Sequence, residues 1–250
     1  MAPRCTFSIV TVCRNAERSI ARTVDSVLAQ ADFGGTVEHL IIDGASTDGT
    51  LQVLAAYPHL RVVSEPDAGV YDAMNKGVRL ASGTYIAMLN ADDWYEPGTL
   101  AAVAEAFRVS PGVSIVHGDI RRWNHGEPID IVKPSGQQPN GGQLAMPFHH
   151  PASFVRQELF ERFGGFDTTF RIFADFEWMN RVVKGGALLR YCPQVFTNFQ
   201  IGGLSTMRCA ARERYRVFRT VGAGSLRAAA ATGYGCAAVL RNRFLPARGR

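Results

Sequence analysis

The strongest constraint on the fold is the alternation of short apolar runs with amphipathic segments through the N-terminal part of the chain. The short runs are rich in Val, Ile and Leu and have the length of buried strands, and the segments between them carry apolar residues at helical spacing. This alternation predicts an α/β architecture, with a mainly parallel sheet and helices on both faces. The predicted strands cover 7–12, 37–42, 61–64 and 84–89, and the predicted helices cover 16–30, 47–56, 70–81 and 97–108.

The pattern changes after Pro111. The sequence there predicts one more strand and a hairpin that turns at His125–Gly126, followed by two helices and a final strand. The stretch 134–147 is rich in Pro, Gly, Gln and Asn, and loops of this length in a compact domain are usually functional or disordered. The other predicted elements cover 113–117, 120–132, 156–163, 175–184 and 187–195.

Composition is that of a globular intracellular protein. The chain has 250 residues, which suits one large α/β domain, and its 46% hydrophobic and 20% charged residues are ordinary values. Five scattered cysteines without metal-ligand spacing argue against a disulfide or zinc framework. Because no apolar signal region and no bilayer-length apolar run is present, the sequence predicts a cytoplasmic location.

The C-terminal segment is strongly basic. Residues 207–250 contain ten arginines, no lysine and one glutamate, a net charge of +9, whereas the remainder carries −4. On a helix, 208–220 would place arginines beside an apolar strip of Tyr215, Val217 and Phe218, a pattern typical of peripheral binding to an anionic membrane surface. A merely solvated basic helix is the alternative. Since no nucleic-acid-binding motif accompanies the arginines, we expect no nucleic acid partner.

Acidic side chains follow the predicted strand that ends at Leu89. Asp92 and Asp93 are adjacent, and two neighbouring carboxylates repel each other unless a cation or donor groups neutralise them. Hard oxygen ligands suit Mg²⁺ or Mn²⁺, which also bind substrate phosphates. The alternative is a solvated turn that caps the next helix.

A second acidic turn follows an earlier strand, where Asp43 comes directly after 37–42. Ligands bind at the carboxyl ends of strands in open α/β sheets, and Asp43 is predicted to stand at that edge together with Asp92 and Asp93. Ser46, Thr47 and Asp48 suit the capping of the following helix.

The linked motifs resemble family 2 glycosyltransferases of the GT-A fold, over roughly residues 6–206. They are Thr11–Asn15, Asp43–Thr50, Glu65–Gly77 and Leu89–Asp93. The resemblance implies an α/β/α sandwich and metal-dependent, inverting transfer of a sugar from a nucleotide-diphosphate sugar to a hydroxyl. The acceptor would be a glycan or a lipid-linked molecule, because the Glu65–Gly77 motif is similar to that of bacterial enzymes that build exopolysaccharides and glycolipids.

The resemblance also implies roles for parts of the chain. Residues 1–206 would form the GT-A domain, with a nucleotide-sugar-binding half at 1–110 and an acceptor-side half at 111–206, and 207–250 would form the Arg-rich helical tail. Asp93 matches the position that ligates Mn²⁺ or Mg²⁺ directly, and Asp92 matches one that contacts the donor ribose or the metal. A UDP, GDP or dTDP sugar would be bound by Thr11, Arg14, Asn15, Asp43, Asp67, Lys76, Asn90 and Asp92. Many relatives have Asp where this chain has Asn90.

Asp175 matches the general base of the family, at the start of an acceptor-side helix. A carboxylate suits this task when its environment keeps its pKa near the working pH. Glu177 is the rival base, but it lies two residues along and would point to a different helix face. His150 and Gly203 match positions near the acceptor or the diphosphate.

Two other functions are compatible with parts of this pattern. A sugar-phosphate nucleotidyltransferase would need a Gly-rich phosphate loop after the first strand, whereas this chain has Cys13–Arg18 there. A non-catalytic nucleotide-sugar-binding protein would not require both Asp93 and Asp175, so their presence favours an enzyme.

Overall fold

The computed structural model describes residues 6–30, 33–124, 126–134, 146–202 and 210–233. The strands are β1 (Thr6–Cys13), β2 (Thr36–Asp43), β3 (Arg61–Ser64), β4 (Tyr85–Met88), β5 (Trp94–Tyr95), β6 (Ile115–Asn124), β7 (Glu127–Val132), β8 (Ser153–Arg156) and β9 (Leu189–Gln200). The helices are α1 (Ile20–Leu28), α2 (Thr50–Leu54), α3 (Val70–Leu80), α4 (Thr99–Val109), α5 (Glu158–Phe163), α6 (Ala174–Lys184) and α7 (Ala211–Thr220), with a 3₁₀ turn at His150–Ala152 and a further helix at 225–233.

Within the described residues the strands form one sheet in the order β3-β2-β1-β4-β8-β6-β9-β5, and β7 pairs with β6. Parallel pairing joins β3, β2, β1 and β4, and it also joins β6 to β9 over a long register. β8 is antiparallel to both β4 and β6 and connects these two parallel groups. The expected mainly parallel α/β sheet is confirmed.

Alternation along β1 explains why helices cover both faces. Val10 and Val12 belong to the apolar cluster that includes side chains of α3, α6 and α7. Phe7 and Ile9 point to the opposite face, where residues of α4 complete a second cluster. Because successive side chains of a strand point to opposite faces, a strand such as β1, buried at all but its first position, requires cover on both sides. The result is the three-layer sandwich that the sequence predicts.

Two short strands were missed in the sequence. β8 has four residues and directly precedes α5, and β5 has two, so neither is long enough to give a periodic signal. The predicted hairpin at 120–132 is confirmed by pairing of Asn124 with Glu127, although its first strand continues back to Ile115.

The C-terminal helix α7 lies against the domain. Val217 and Phe218 are 0% and 5% exposed and belong to the same apolar cluster as side chains of α6, so the expected surface strip that includes them is wrong. Their apolar face is satisfied by the domain core, while Arg212 and Arg219 of the same helix are exposed. In the described part of the chain, no helix is long and apolar enough to cross a membrane. Most of the predicted loop at 134–147 lies outside the described residues.

Candidate active site

The two acidic turns converge because their strands are neighbours. β1 pairs with both β2 and β4 in parallel, so the chain leaves all three strands at the same edge of the sheet. A pocket opens at this edge, between the turn after β4 and the segment that leads into α6. Its wall includes Tyr71, Asn90, Asp92, His150 and Asp175.

Asp43 ends β2 and is fully buried. Its carboxylate accepts hydrogen bonds from the Ser46 amide at 3.0 Å, from the Ser64 hydroxyl at 2.6 Å and from the Ser46 hydroxyl. Burial by itself raises the pKa of Asp43, but the hydrogen bonds from Ser46 and Ser64 outweigh burial and lower its pKa below the usual value. The turn therefore holds Asp43 as a charged acceptor.

Asn15 connects the turns after β1 and β2. The backbone amide of Asn15 donates to the Ser46 hydroxyl at 2.7 Å, and the side-chain oxygen of Asn15 accepts from the Thr47 backbone amide at 2.8 Å. Asn15 has φ 54°, a left-handed conformation that Asn tolerates better than most residues. Neighbouring Arg14 is exposed, whereas Thr11 is fully buried and its hydroxyl pairs with His39 at 3.0 Å, away from the pocket wall.

Asp67 lies close to the turn after β2. A side chain at Gly44 would place its Cβ 2.3 Å from Asp67 Oδ2, so the Asp67 side chain would have to move to admit it. Lys76 holds the same loop, since its ammonium donates to the Pro66 carbonyl at 2.8 Å and pairs with Glu65 at 2.9 Å. The hydrogen bond that Lys76 donates to Glu65 raises the pKa of Lys76. The structure thus brings Asp67 close to Gly44 and gives Lys76 contacts within its own loop.

Asp93 is fully buried beneath the pocket edge. Its carboxylate accepts hydrogen bonds from the backbone amide of Gln200 at 2.9 Å and from the side-chain nitrogen of Asn90 at 3.2 Å. Burial raises its pKa well above the usual value, and the charge of Asp92 adds to the shift. Burial also raises the pKa of Asp92, against the nearby charge of Arg22. A positive charge placed nearby would stabilise the ionised form of these carboxylates.

The donor set at this turn fits a divalent cation that shares its coordination with a phosphate. Mg²⁺ is typically held by one or two carboxylates together with waters and substrate phosphates. Asp92 lines the pocket and Asp93 lies directly behind it, which supplies the carboxylates. No group of three or more His, Cys, Asp or Glu side chains in the described ranges has the arrangement of a metal site made by protein alone.

Asp175 lies in the first turn of α6, forms part of the pocket wall and is 6% exposed. Its Oδ1 accepts from the Phe176 amide at 2.8 Å and lies 2.9 Å from the Tyr71 hydroxyl. Its Oδ2 lies 3.1 Å from His150 Nδ1. On the other side of the imidazole ring, Nε2 is 3.4 Å from the Asn90 amide nitrogen. Asn90 therefore stands between the Asp93 turn and the His150–Asp175 pair.

Glu177 has a different environment from Asp175. Its carboxylate forms an ion pair with Arg181, one turn along α6, at 2.8 Å. Arg181 also donates to the Gly165 carbonyl at 2.9 Å, so the pair ties α6 to the loop after α5. Glu177 lies outside the pocket wall, whereas Asp175 forms part of it.

Two site features were missed in the sequence. Tyr71 lies within the Glu65–Gly77 motif but was not among the predicted site residues, yet its hydroxyl contacts Asp175. Glu213 contacts the chain just before α6. The available signal was that Glu213 is the single acidic residue of an Arg-rich segment. Gly203, which was expected near the diphosphate, lies outside the described residues.

Solved structures of other proteins share this fold. The S. aureus TarS 1–349 structure in complex with UDP superimposes with a TM-score of 0.68 at 15% identity, over 97% of this chain and 73% of that one. The mannosyltransferase PcManGT from Pyrobaculum calidifontis, solved with GDP-Man and Mn²⁺, gives 0.65 at 19% identity, over 98% and 78% of the two chains. These similarities confirm the GT-A-like fold.

Sequence similarity extends over the same region. The PGL/p-HBAD biosynthesis glycosyltransferase of Mycobacterium bovis is 32% identical over 213 residues, which are 80% of this chain and 78% of the relative. The family model described as "Glycosyl transferase family 2" matches residues 8–164, including both acidic turns, His150 and the Glu65–Gly77 motif. This chain therefore belongs to glycosyl transferase family 2 and is a glycosyltransferase.

Proposed function

We propose that this protein transfers a sugar from a nucleotide-diphosphate sugar to a hydroxyl of a glycan or lipid-linked acceptor, with inversion at the anomeric carbon. The observation that carries the proposal is the pocket itself. Asp92 lies in one part of its wall, next in the chain to the fully buried Asp93, and Asp175 with His150 lies in another part. A donor bound in this pocket would have its diphosphate at the first part and its anomeric carbon towards the second.

Asp175 is the proposed general base. Its Oδ2 faces His150, and the carboxylate would take the proton of the acceptor hydroxyl as that oxygen attacks the anomeric carbon. The bond from the anomeric carbon to the diphosphate oxygen breaks in the same displacement, and this inverts the configuration. The Tyr71 hydroxyl, whose pKa is raised well above the usual value by burial and by the charge of Asp175, keeps its own proton and orients the carboxylate.

The donor side of the pocket would bind the nucleotide. Asp43 is held charged and Asp67 lies close to the next residue, Gly44, and in this proposal both carboxylates accept hydrogen bonds from base or ribose. Exposed Arg14 and Asn15 border the same turn. Asp93, together with Asp92, would hold Mn²⁺ or Mg²⁺, which would supply charge stabilisation for the leaving diphosphate. Solved proteins of the same fold bind UDP, UDP-GlcNAc and GDP-Man, which supports a UDP, GDP or dTDP donor.

The acceptor is proposed to be lipid-linked, and the protein peripheral on the inner face of the cytoplasmic membrane. The M. bovis relative bears the name of a PGL/p-HBAD biosynthesis enzyme, which supports a glycolipid product. Arg212, Arg219 and Arg227 are exposed on the C-terminal helices, and Leu226 beside them is 88% exposed. Exposed arginines near an anionic surface each contribute roughly 1 kcal/mol of attraction.

A thermal-shift panel of UDP, GDP, dTDP and CMP, with and without Mn²⁺, tests the donor proposal. A ligand that binds the native state alone raises the melting temperature. We expect one of the nucleoside diphosphates to raise it, and Mn²⁺ to increase that shift. The preferred nucleotide then selects a radiolabelled sugar donor for a hydrolysis assay, in which water replaces the acceptor hydroxyl. Binding without hydrolysis would favour a non-catalytic nucleotide-sugar-binding protein, and no shift with any nucleotide would contradict the proposal.

A further inference from the structure

The C-terminal helix α7 contacts the segment that leads directly into α6. The Glu213 carboxylate accepts hydrogen bonds from the backbone amides of Ile172, at 2.6 Å, and Phe173, at 2.9 Å. Phe173 is the N-cap of α6, so both amides lie at the point where this helix begins. Amides at a helix start lack partners within the helix, and here they are satisfied by a side chain that is about forty positions further along the sequence.

Two groups connect Glu213 to Asp175. They are the peptide group between Ile172 and Phe173 and the Tyr71 hydroxyl. The Ile172 carbonyl lies 2.5 Å from the Tyr71 hydroxyl, and the same hydroxyl lies 2.9 Å from Asp175 Oδ1. A phenol has a single proton, so the carbonyl and the carboxylate compete for one donor. The placement of the Ile172 peptide therefore affects how the Tyr71 hydroxyl is directed at Asp175, and Glu213 holds that peptide from its other side.

Further contacts of α7 flank the Glu213 interaction. The Arg214 guanidinium lies 4.8 Å from the centre of the Phe173 ring, and the Phe218 ring packs against Phe176 with centroids 5.8 Å apart. Arg216 pairs with Asp167 at 3.6 Å on the far side of the same segment. The helix thus contacts the chain both before and after the start of α6. Glu213 is the one acidic residue of this basic helix, and its carboxylate accepts the hydrogen bonds from the two backbone amides.

We propose that Glu213 is a positioning residue that directs the Asp175 carboxylate through the Ile172 peptide and the Tyr71 hydroxyl. The inference rests on the proposed function, because it takes Asp175 as the general base. When Asp175 is ionised, the Tyr71 proton points to it; when Asp175 has taken the acceptor proton, the same hydroxyl is free to turn to the Ile172 carbonyl. The proton of Tyr71 is retained in both states, and the proton that moves is that of the acceptor hydroxyl.

The first test is the turnover of Glu213→Ala in hydrolysis of radiolabelled UDP-GlcNAc, UDP-glucose, GDP-mannose and dTDP-rhamnose. We expect kcat to fall about tenfold on the donor that wild-type protein hydrolyses, because small misplacements of reacting groups cost one to two orders of magnitude. Nucleotide affinity and the KM for the donor should stay within a factor of about two, since the donor-side turns are untouched. Glu213→Gln keeps an oxygen acceptor at the same place and should restore most of kcat.

Two further variants separate positioning from a general loss of structure. Thr220→Ala on the same helix removes a hydroxyl that donates to the Arg216 carbonyl at 3.1 Å, and it should match wild type. Tyr71→Phe should lower kcat, and combining it with Glu213→Ala should lower kcat no further than the more damaging single change. In an Asp175→Asn background, Glu213→Ala should have no additional effect on kcat.

Several outcomes would overturn the inference. These are wild-type kcat in folded Glu213→Ala, or additive losses for the Glu213 and Tyr71 variants. If Glu213→Ala does not fold, Glu213→Asp, which withdraws the carboxylate by one methylene, takes its place with the same criteria. A large loss in Asp175→Asn without any loss at Glu213 overturns the positioning role and leaves the proposed function intact. Wild-type activity in Asp175→Asn, or no hydrolysis of any donor by wild type, overturns both.

Discussion

Asp43 and Asp93 are both fully buried carboxylates at the carboxyl edge of one sheet, yet their environments are opposite. Asp43 receives hydrogen bonds from Ser46 and Ser64, which lower its pKa despite burial. Asp93 receives fewer donors and faces the charge of Asp92, so burial raises its pKa well above the usual value. The difference shows that hydrogen bonds within the protein stabilise the negative charge of Asp43, whereas the charge of Asp93 lacks comparable stabilisation. The charge of Asp43 is therefore stabilised without a cation, whereas an added cation would stabilise the charges of Asp92 and Asp93.

The largest effect on activity is expected at Asp93, the carboxylate that is proposed to need a cation. Asp93→Ala should abolish sugar transfer, because it removes the carboxylate proposed to hold the cation beside the leaving diphosphate. Chelation of divalent ions should abolish wild-type activity in the same way, and Mn²⁺ or Mg²⁺ should restore it. Asp92→Ala should weaken donor binding and cause a smaller loss. Radiolabelled donor hydrolysis measures all of these, and full activity in saturating chelator would rule out the metal role.

The second effect concerns stability, and it should have opposite signs at the two carboxylates. Asp43→Asn should lower the free energy of unfolding by about 1–3 kcal/mol, because it replaces a charged acceptor of several hydrogen bonds. In metal-free buffer at neutral pH, Asp93→Asn should raise the free energy of unfolding, because a buried and poorly compensated charge is removed. Urea unfolding measures both. A loss of stability at both positions would mean that Asp93 is as well neutralised as Asp43.

The pH dependence of the Asp43 effect follows from the direction of its pKa shift. Since the folded state lowers the pKa of Asp43, its stabilisation is present above the unfolded value of about 3.9 and is lost as the pH falls through the folded value. The stability difference between wild type and Asp43→Asn should therefore be constant from pH 7 to about 5 and shrink below about pH 4. Urea unfolding at a series of pH values tests this, and a difference that shrinks between pH 7 and 5 would contradict it.

The smallest effect is expected at the exposed arginines of the C-terminal helices. Arg212→Glu combined with Arg227→Glu should reduce co-sedimentation with anionic liposomes at low salt, since the attraction is mostly electrostatic and screened by salt. The fold and soluble-donor hydrolysis should be retained, because both side chains are exposed. Substitution is preferable to deletion of the segment, which would uncover the core beneath Val217 and Phe218. Equal binding of wild type to neutral and anionic liposomes would contradict the proposal.

The donor side could be predicted from the sequence because its chemistry is local. Asp43, Asp92 and Asp93 directly follow recognisable strands, and the edge at which parallel strands end is fixed by the topology. Glu65–Gly77 is likewise one continuous motif whose internal contacts, such as Lys76 with Glu65, involve near neighbours. Sequence order alone was enough to place these residues together.

The surroundings of Asp175 could not be predicted in the same way. Its partners Tyr71 and His150 come from distant parts of the chain, and which of them meet depends on how β8 enters the sheet between β4 and β6. The burial of α7 was missed for a related reason. An apolar strip that contains Val217 and Phe218 has the same spacing whether it faces a membrane or the domain core, and the packed structure decides between them.

The most direct test of the central claim compares Asp175→Asn with Glu177→Gln in donor hydrolysis and transfer. Asp175→Asn keeps the size of the side chain but cannot accept the proton, so it should bind the nucleotide as wild type does and lose at least about 10²-fold in kcat. Glu177→Gln weakens the ion pair to Arg181, so it should lower the melting temperature while keeping most of kcat. The opposite result, an active Asp175→Asn and a folded but inactive Glu177→Gln, would contradict the assignment of Asp175 as the general base.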